Sequence, residues 1–166
     1  MTKLKEGQRA PDFELTAHNG RMVSLADFLG NKNIVLYFYP KDDTPGCTIE
    51  ACGLRDVRSE ILKYDTKILG ISPDNMSLHQ KFAAKFGLTF LLLSDEDKSV
   101  CKKYGVWVEK SMYGRKYMGV ARTTFIIAKD GRIEKIFENV KPKGHEQEVL
   151  AAVKEIADRS VAVTAG

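Results

Sequence analysis

Apolar residues fall in short runs whose period changes along the chain. "NIVLYFY", residues 33–39, is almost continuously apolar and rich in β-branched and aromatic residues. Such a run fits a strand buried on both faces. "KILGIS" (67–72) and "FLLLS" (90–94) repeat the signal more briefly. Between them the period lengthens. Ile49, Leu54, Val57, Ile61 and Leu62 recur at helical spacing and predict a helix from about Pro45 to Tyr64. A second helix is predicted from Asn75 to Phe86, and a short one from Glu96 to Tyr104. Near the N-terminus, "DFELT" and "RMVSL" flank His18-Asn19-Gly20 and predict a hairpin, and Ser24 with Asp27 can open a short helix. Residues 105–119 show no clear period and read as a long irregular stretch carrying Trp107, Tyr113 and Tyr117. "RTTFIIAKDGRIEKIFE" reads as a hairpin turning at Asp130-Gly131. A last helix is predicted from Gly144 to Arg159, with Val149, Leu150, Val153 and Ile156 as its apolar stripe.

Strands alternating with helices, then a hairpin and a helix, predict an α/β fold: a central mixed sheet flanked by helices, with an N-terminal hairpin. A thioredoxin-like arrangement satisfies this order. The chain has 166 residues, which suits one domain over residues 1–160, with 161–166 as a flexible tail. At 43% hydrophobic and 29% charged it is not a disordered sequence. The formal net charge is +4, but lysine and arginine are scattered, which describes a solvated surface rather than a nucleic-acid footprint. The N-terminal residues carry no apolar signal segment. The apolar runs are too short to span a bilayer, so no membrane partner is expected and a cytoplasmic location is. Cysteines there stay reduced, so closely placed ones are reactive or metal-binding before they are structural.

That weighting directs attention to "YFYPKDDTPGCTIEAC", residues 37–52, which holds two of the three cysteines. A strand end followed at once by a helix start is where α/β sheets place their sites. Thr44 suits the N-cap and Pro45 the first helical position. Cys47 then falls in the first turn, where backbone N–H groups lack helical partners and the helix dipole favours the thiolate. Gly46 leaves the sulfur uncovered. Cys52 lies five residues on, and in an ideal helix the two Cα atoms would be roughly 8–9 Å apart. A disulfide needs less than about 7 Å. Gly53 weakens the helix by about 1 kcal/mol relative to alanine. The expected cycle is reaction at Cys47, unwinding of the first turns, and closure by Cys52. Other readings stay open: Cys52 as a small core residue, or a thiol–disulfide exchange centre, although four intervening residues differ from the usual two. His18, His79 and His145 have no metal-like spacing with the cysteines. Cys101, in "KSVCKKYG", reads as a helical core cysteine.

Pro40, Thr44 and Cys47, in the spacing Pro-x-x-x-Thr-x-x-Cys, resemble the peroxiredoxin active-site signature. With Cys52, "GISPD", "LLSDED" and "GVARTTFII", nearly the whole chain resembles the peroxiredoxin Q group, also called bacterioferritin comigratory protein. The resemblance implies a thioredoxin-like fold and a peroxidase that reduces hydrogen peroxide and organic hydroperoxides without metal, haem or other cofactor. It implies Cys47 as the peroxidatic and Cys52 as the resolving cysteine, joined transiently as an intramolecular disulfide. It implies Thr44 as the hydroxyl that contacts sulfur and peroxide, Arg122 as the active-site arginine, and Pro40 as the residue shielding the pocket. Thioredoxin or a glutaredoxin-like dithiol is the implied reductant, and a monomer the implied state.

Overall fold

The computed structural model describes residues 2–165, and side chains as far as residue 159. Nine strands and four helices follow in the order β1 (Glu14–Ala17), β2 (Met22–Ser24), β3 (Asn33–Phe38), α1 (Pro45–Leu62), β4 (Thr66–Ser72), α2 (Met76–Phe86), β5 (Leu91–Ser94), α3 (Ser99–Lys103), β6 (Trp107–Met112), β7 (Arg115–Val120), β8 (Thr123–Ile127), β9 (Ile133–Phe137) and α4 (His145–Ala165). Seven strands form one mixed sheet in the order β2-β1-β5-β4-β3-β8-β9. β3, β4 and β5 run parallel, while β1 pairs antiparallel with β5 and β8 antiparallel with β3. The predicted N-terminal hairpin forms, and Asp27 Oδ2 accepts from the Ser24 backbone N–H at 2.9 Å to open a 3-10 turn over Leu25–Asp27.

β3 shows why its sequence is apolar throughout. Ile34, Leu36 and Phe38 enter one core with Val100, Cys101, Tyr104 and Phe125. Val35, Tyr37 and Tyr39 enter a second core with Leu54, Val57 and Ile61 of α1, Phe82 of α2 and Val149 and Val153 of α4. Alternate side chains of one strand thus feed opposite faces, and both faces are covered. Gly70 of β4 makes room for one of them, because a Cβ there would meet the Tyr37 ring at 2.9 Å.

Three expectations need correction. The stretch 105–119 is not irregular: β6 and β7 form a separate antiparallel hairpin from Trp107↔Val120 to Met112↔Arg115. Its tip, Tyr113-Gly114, has both residues at positive φ, 52° and 78°, as a tight hairpin turn requires. The period was hidden because β7 is mostly exposed on both faces and the turn is not the usual Asn-Gly or Asp-Gly. Of the aromatic residues this stretch carries, Trp107 packs against the core, Tyr113 is 99% exposed and Tyr117 half-exposed. In α1, Ile49 is not on the core stripe and is 50% exposed; the buried face is Cys47, Glu50, Ala51, Leu54, Val57 and Ile61. The helix backbone of α4 runs to Ala165, beyond the predicted Arg159. The expected tail at 161–166 falls where side chains, and for Gly166 the backbone, lie outside the described residues. No described helix is long and apolar enough to cross a membrane.

Candidate active site

β3 ends at Phe38, and the chain passes Tyr39 and a half-buried Pro40 before α1 begins. Buried hydrogen bonds hold that connection. Tyr39 Oη donates to Asp42 Oδ1 at 2.6 Å, and His79 Nδ1 lies 2.6 Å from Asp42 Oδ2. His79 Nε2 is 3.0 Å from the Leu93 carbonyl oxygen, so each ring nitrogen faces an oxygen. The Asp42 backbone N–H donates to Asp74 Oδ2 at 2.8 Å. Ligand atoms of Asp42, Asp74 and His79 converge within 4.8 Å. Their short mutual hydrogen bonds make the cluster an anchor that ties the loop before α1 to β3, β4, α2 and β5. No spacing rule would find it, because His79 is distant from Asp42 in the chain.

Thr44 occupies the N-cap position with extended backbone, and its carbonyl accepts from the Thr48 N–H at 2.8 Å. Its hydroxyl does not cap the helix as its residue type suggested; it donates back to the Lys41 carbonyl at 2.8 Å. The first-turn N–H groups are therefore left without a Thr44 side-chain acceptor. Pro45 is the first helical residue and Cys47 the third, with its side chain buried.

Arg122 reaches this helix start from the other side of β3. The register pairs Phe38 with Thr123, so the residue before β8 lies beside the carboxyl end of β3. Arg122 Nη2 donates to Cys47 Sγ at 3.3 Å, and Nη1 donates to Glu50 Oε1 at 2.7 Å. Gly46 eases this approach: a Cβ would stand 3.2 Å from Arg122 Nη2 and 3.3 Å from Pro142 Cγ, tight enough that a neighbour would have to give. Burial by itself would lower the Arg122 guanidinium, but the charges of Glu50 and Cys47 hold it above its ordinary value.

Glu50 is the residue that sequence reasoning missed. Its side chain is 0% exposed against 17% for Arg122, and its Oε2 has no hydrogen-bond partner among the described residues. Burial raises its carboxyl from 4.5 to about 7, with Arg122 opposing the shift. A signal was present: position 50 lies one turn after Cys47 and one turn before Leu54, on the buried stripe, where a charged residue needs a partner. The raised value carries a pH dependence of stability. The folded state keeps a proton that the unfolded state has lost between pH 4.5 and about 7, so stability falls as pH rises through that window. Glu50→Gln removes the effect. Urea unfolding at pH 5 and pH 8 is expected to show wild type losing ~3 kcal/mol more than the variant.

The second cysteine, Cys52, sits half-buried in the same intact helix, and all three cysteines are free thiols. Next to it, Gly53 has a packing reason besides its low helix propensity: a Cβ there would stand 2.6 Å from the Glu146 carboxylate of α4. Cys101 is a core residue. Burial pushes its thiol up, and Asp95, which accepts from the Cys101 backbone N–H at 2.7 Å, pushes the same way, overriding the smaller opposing effect of Lys98.

A helix-start thiol beside a guanidinium is equipped to attack an electrophile and to stabilise the anion that leaves. Comparison with known proteins gives the same direction. Residues 6–136 match the AhpC/TSA family. A putative peroxiredoxin bcp from Coxiella burnetii is 51% identical over 147 residues, covering 89% of this chain and 97% of that protein. Peroxiredoxin Bcp from Bacillus subtilis is 46% identical over 156 residues, covering 94% and 99%. The bacterioferritin comigratory protein of Xanthomonas campestris, solved as trapped intermediate and ligand complexes in a study of its alkyl peroxide reduction, superposes with a TM-score of 0.85 at 36% identity, covering 95% and 99%. With the fold, the thiol and these relatives together, the chain belongs to the AhpC/TSA family as a peroxiredoxin of the Bcp and peroxiredoxin Q kind, a thiol peroxidase.

Proposed function

We propose that the protein reduces hydrogen peroxide and organic hydroperoxides through a Cys47 sulfenic acid that Cys52 resolves as an intramolecular disulfide. The observation that carries this reading is the contact of Arg122 with Cys47 Sγ at the start of a helix that also holds Cys52. The Cys47 thiolate attacks the terminal peroxide oxygen. The S–O bond forms as the O–O bond breaks, and the leaving hydroxide or alkoxide takes up a proton. Arg122 and the first-turn N–H groups stabilise the charge moving onto that oxygen. The Thr44 hydroxyl, whose proton goes to the Lys41 carbonyl, serves the same pocket as an acceptor for the peroxide O–H, and Pro40 shields it. The sulfenic acid is then attacked by Cys52, which releases water and forms the disulfide. Cys52 reaches Cys47 only after the first turns of α1 unwind. Thioredoxin or a glutaredoxin-like dithiol restores both thiols by exchange. The reading places this chemistry in the cytoplasm, on a monomer, without metal, other cofactor, nucleic acid or membrane.

Both cysteines lie between Lys41 and Arg55 with no intervening lysine or arginine, so trypsin leaves them in one peptide. After one equivalent of peroxide, that peptide is expected to weigh two hydrogens less and to resist alkylation. Cleavage after Glu50 should leave its halves joined. A link to Cys101, or a peptide that stays fully alkylatable, overturns the pairing.

A further inference from the structure

Cys52 reaches Cys47 only when α1 loses its first turns, and the loss extends to the turn that follows. In the intact helix the backbone N–H groups of Gly53, Leu54 and Arg55 donate to the carbonyls four residues back, at Ile49, Glu50 and Ala51. All three carbonyls lie in the stretch that must unwind. Leu54 is wholly buried and Val57 nearly so, which keeps the rest of the helix on the core. Opening therefore creates a new helix N-terminus at Gly53, whose donors have lost their partners. A side-chain acceptor already stands there. Glu146, in the first turn of α4, holds its carboxylate against Gly53 so closely that an added Cβ would stand 2.6 Å from Oε2 and 2.8 Å from Cδ. Gly53 has helical, not left-handed, backbone, so what its missing side chain provides is room for that carboxylate. Glu146 is also well fixed. His145 before it is buried, with Nε2 2.8 Å from Thr124 Oγ1 of β8 and its ring set edge-to-face on Phe137 of β9, and Val149 and Val153 of the same helix enter the core. The Thr124 and Phe137 contacts lie outside residues 47–52, so the carboxylate stays in place when that stretch lets go.

We propose that Glu146 is a positioning residue for the resolving step: its carboxylate caps the shortened helix that begins at Gly53, and so stabilises the open form in which Cys52 attacks the Cys47 sulfenic acid. The inference rests on the Cys47–Cys52 reading above and adds a residue to it. In the closed form the carboxylate accepts nothing from the α1 backbone, because the N–H groups of Gly53, Leu54 and Arg55 are engaged within the helix. In the open form it faces unpartnered donors at the positive end of a helix dipole, where an anion is favoured. An interaction made in one state alone shifts the balance toward that state.

The test mixes wild type, Glu146→Gln and Glu146→Ala with hydrogen peroxide, quenches at intervals with a thiol-blocking reagent, and weighs the peptide that holds both cysteines. Sulfenic acid formation should run at the same rate in all three. Closure of the disulfide should slow about tenfold in Glu146→Ala, the effect of losing a good cap, and less in Glu146→Gln, whose amide oxygen still accepts. The fraction over-oxidised to sulfinic acid at a fixed excess of peroxide should rise in the same order. Urea unfolding of both redox forms supplies a readout that lost packing would not move in this way: in Glu146→Ala the reduced midpoint should hold while the oxidised midpoint falls. Amide hydrogen exchange at Gly53, Leu54 and Arg55 should show protection in oxidised wild type that oxidised Glu146→Ala lacks. Closure in Glu146→Ala as fast as in wild type or faster, or a midpoint lowered in the reduced form alone, makes Glu146 a packing residue of the closed helix and overturns the inference while leaving the cysteine pairing intact. A wild type that forms no Cys47–Cys52 disulfide overturns the pairing, and the inference with it.

Discussion

Cys47→Ser is expected to abolish peroxide-dependent oxidation of a thioredoxin system, whereas Cys52→Ser should consume one equivalent of peroxide and then stall. The asymmetry follows from position. Cys47 is in the first turn of α1 and receives the Arg122 hydrogen bond at 3.3 Å, and Cys52 has neither setting. Serine keeps the shape of the first turn but has no thiolate to offer, so the loss is one of chemistry and not of packing. In Cys52→Ser the first oxidation proceeds and the sulfenic acid persists, exposed to further peroxide and to the less reversible oxidation states above it. The readouts are NADPH consumption through thioredoxin and thioredoxin reductase, and the intact mass after a single addition of peroxide. Normal turnover by Cys47→Ser would move the reactive thiol to another cysteine and remove the argument built on the helix start.

Arg122→Met is expected to slow the reaction of Cys47 with hydrogen peroxide by on the order of 10²–10³-fold, the cost of one donor aimed at a developing oxyanion. Arg122→Lys should recover little of this. One guanidinium bonds Glu50 and Cys47 through two different nitrogens, and a single ammonium cannot reproduce that fork. Removing Arg122 also strands the buried Glu50 carboxylate, so the variant should lose stability as well as rate. Arg122→Met combined with Glu50→Gln separates the two effects. The second change restores the unfolding midpoint, because it neutralises the stranded group, and leaves the rate low, because the donor is still missing. Stopped-flow oxidation and urea unfolding on the same samples distinguish these outcomes. A double variant that recovers both quantities would make Arg122 a structural partner of Glu50 and nothing more.

The elements best legible in the sequence were those whose environment is uniform. β3, β4 and β5 are buried on both faces and read as unbroken apolar runs. α1, α2 and α4 each carry a stripe, and the helix start at Pro45 was marked by its own residue types. The hairpin of β6 and β7 was missed for the complementary reason: with most of β7 in solvent, no alternation was imposed on its side chains. The chemistry divides in the same way. Cys47 was found because its setting is local, a few residues either side on one helix turn. Arg122 was found through family resemblance alone; its placement depends on the Phe38↔Thr123 register, which local patterns do not reveal. Glu50 was overlooked because the stripe of α1 was traced through Ile49, an apolar residue that faces out, instead of through a carboxylate that faces in. The Thr44 hydroxyl turned toward Lys41 is a further case, since residue type suggested a cap and geometry supplied another acceptor.

The part of α1 that the proposed cycle unwinds is bounded at both ends. Upstream, Asp42 is held by Tyr39, His79 and Asp74; downstream, Leu54 is wholly buried against the sheet. What unwinds between those clamps is a short tether carrying both sulfurs. On a tether of that length the effective concentration of one thiol at the other is millimolar or more. Encounter is then not the slow event once the segment is open. The time the enzyme spends vulnerable to a second peroxide is set by how often a single stretch of helix lets go.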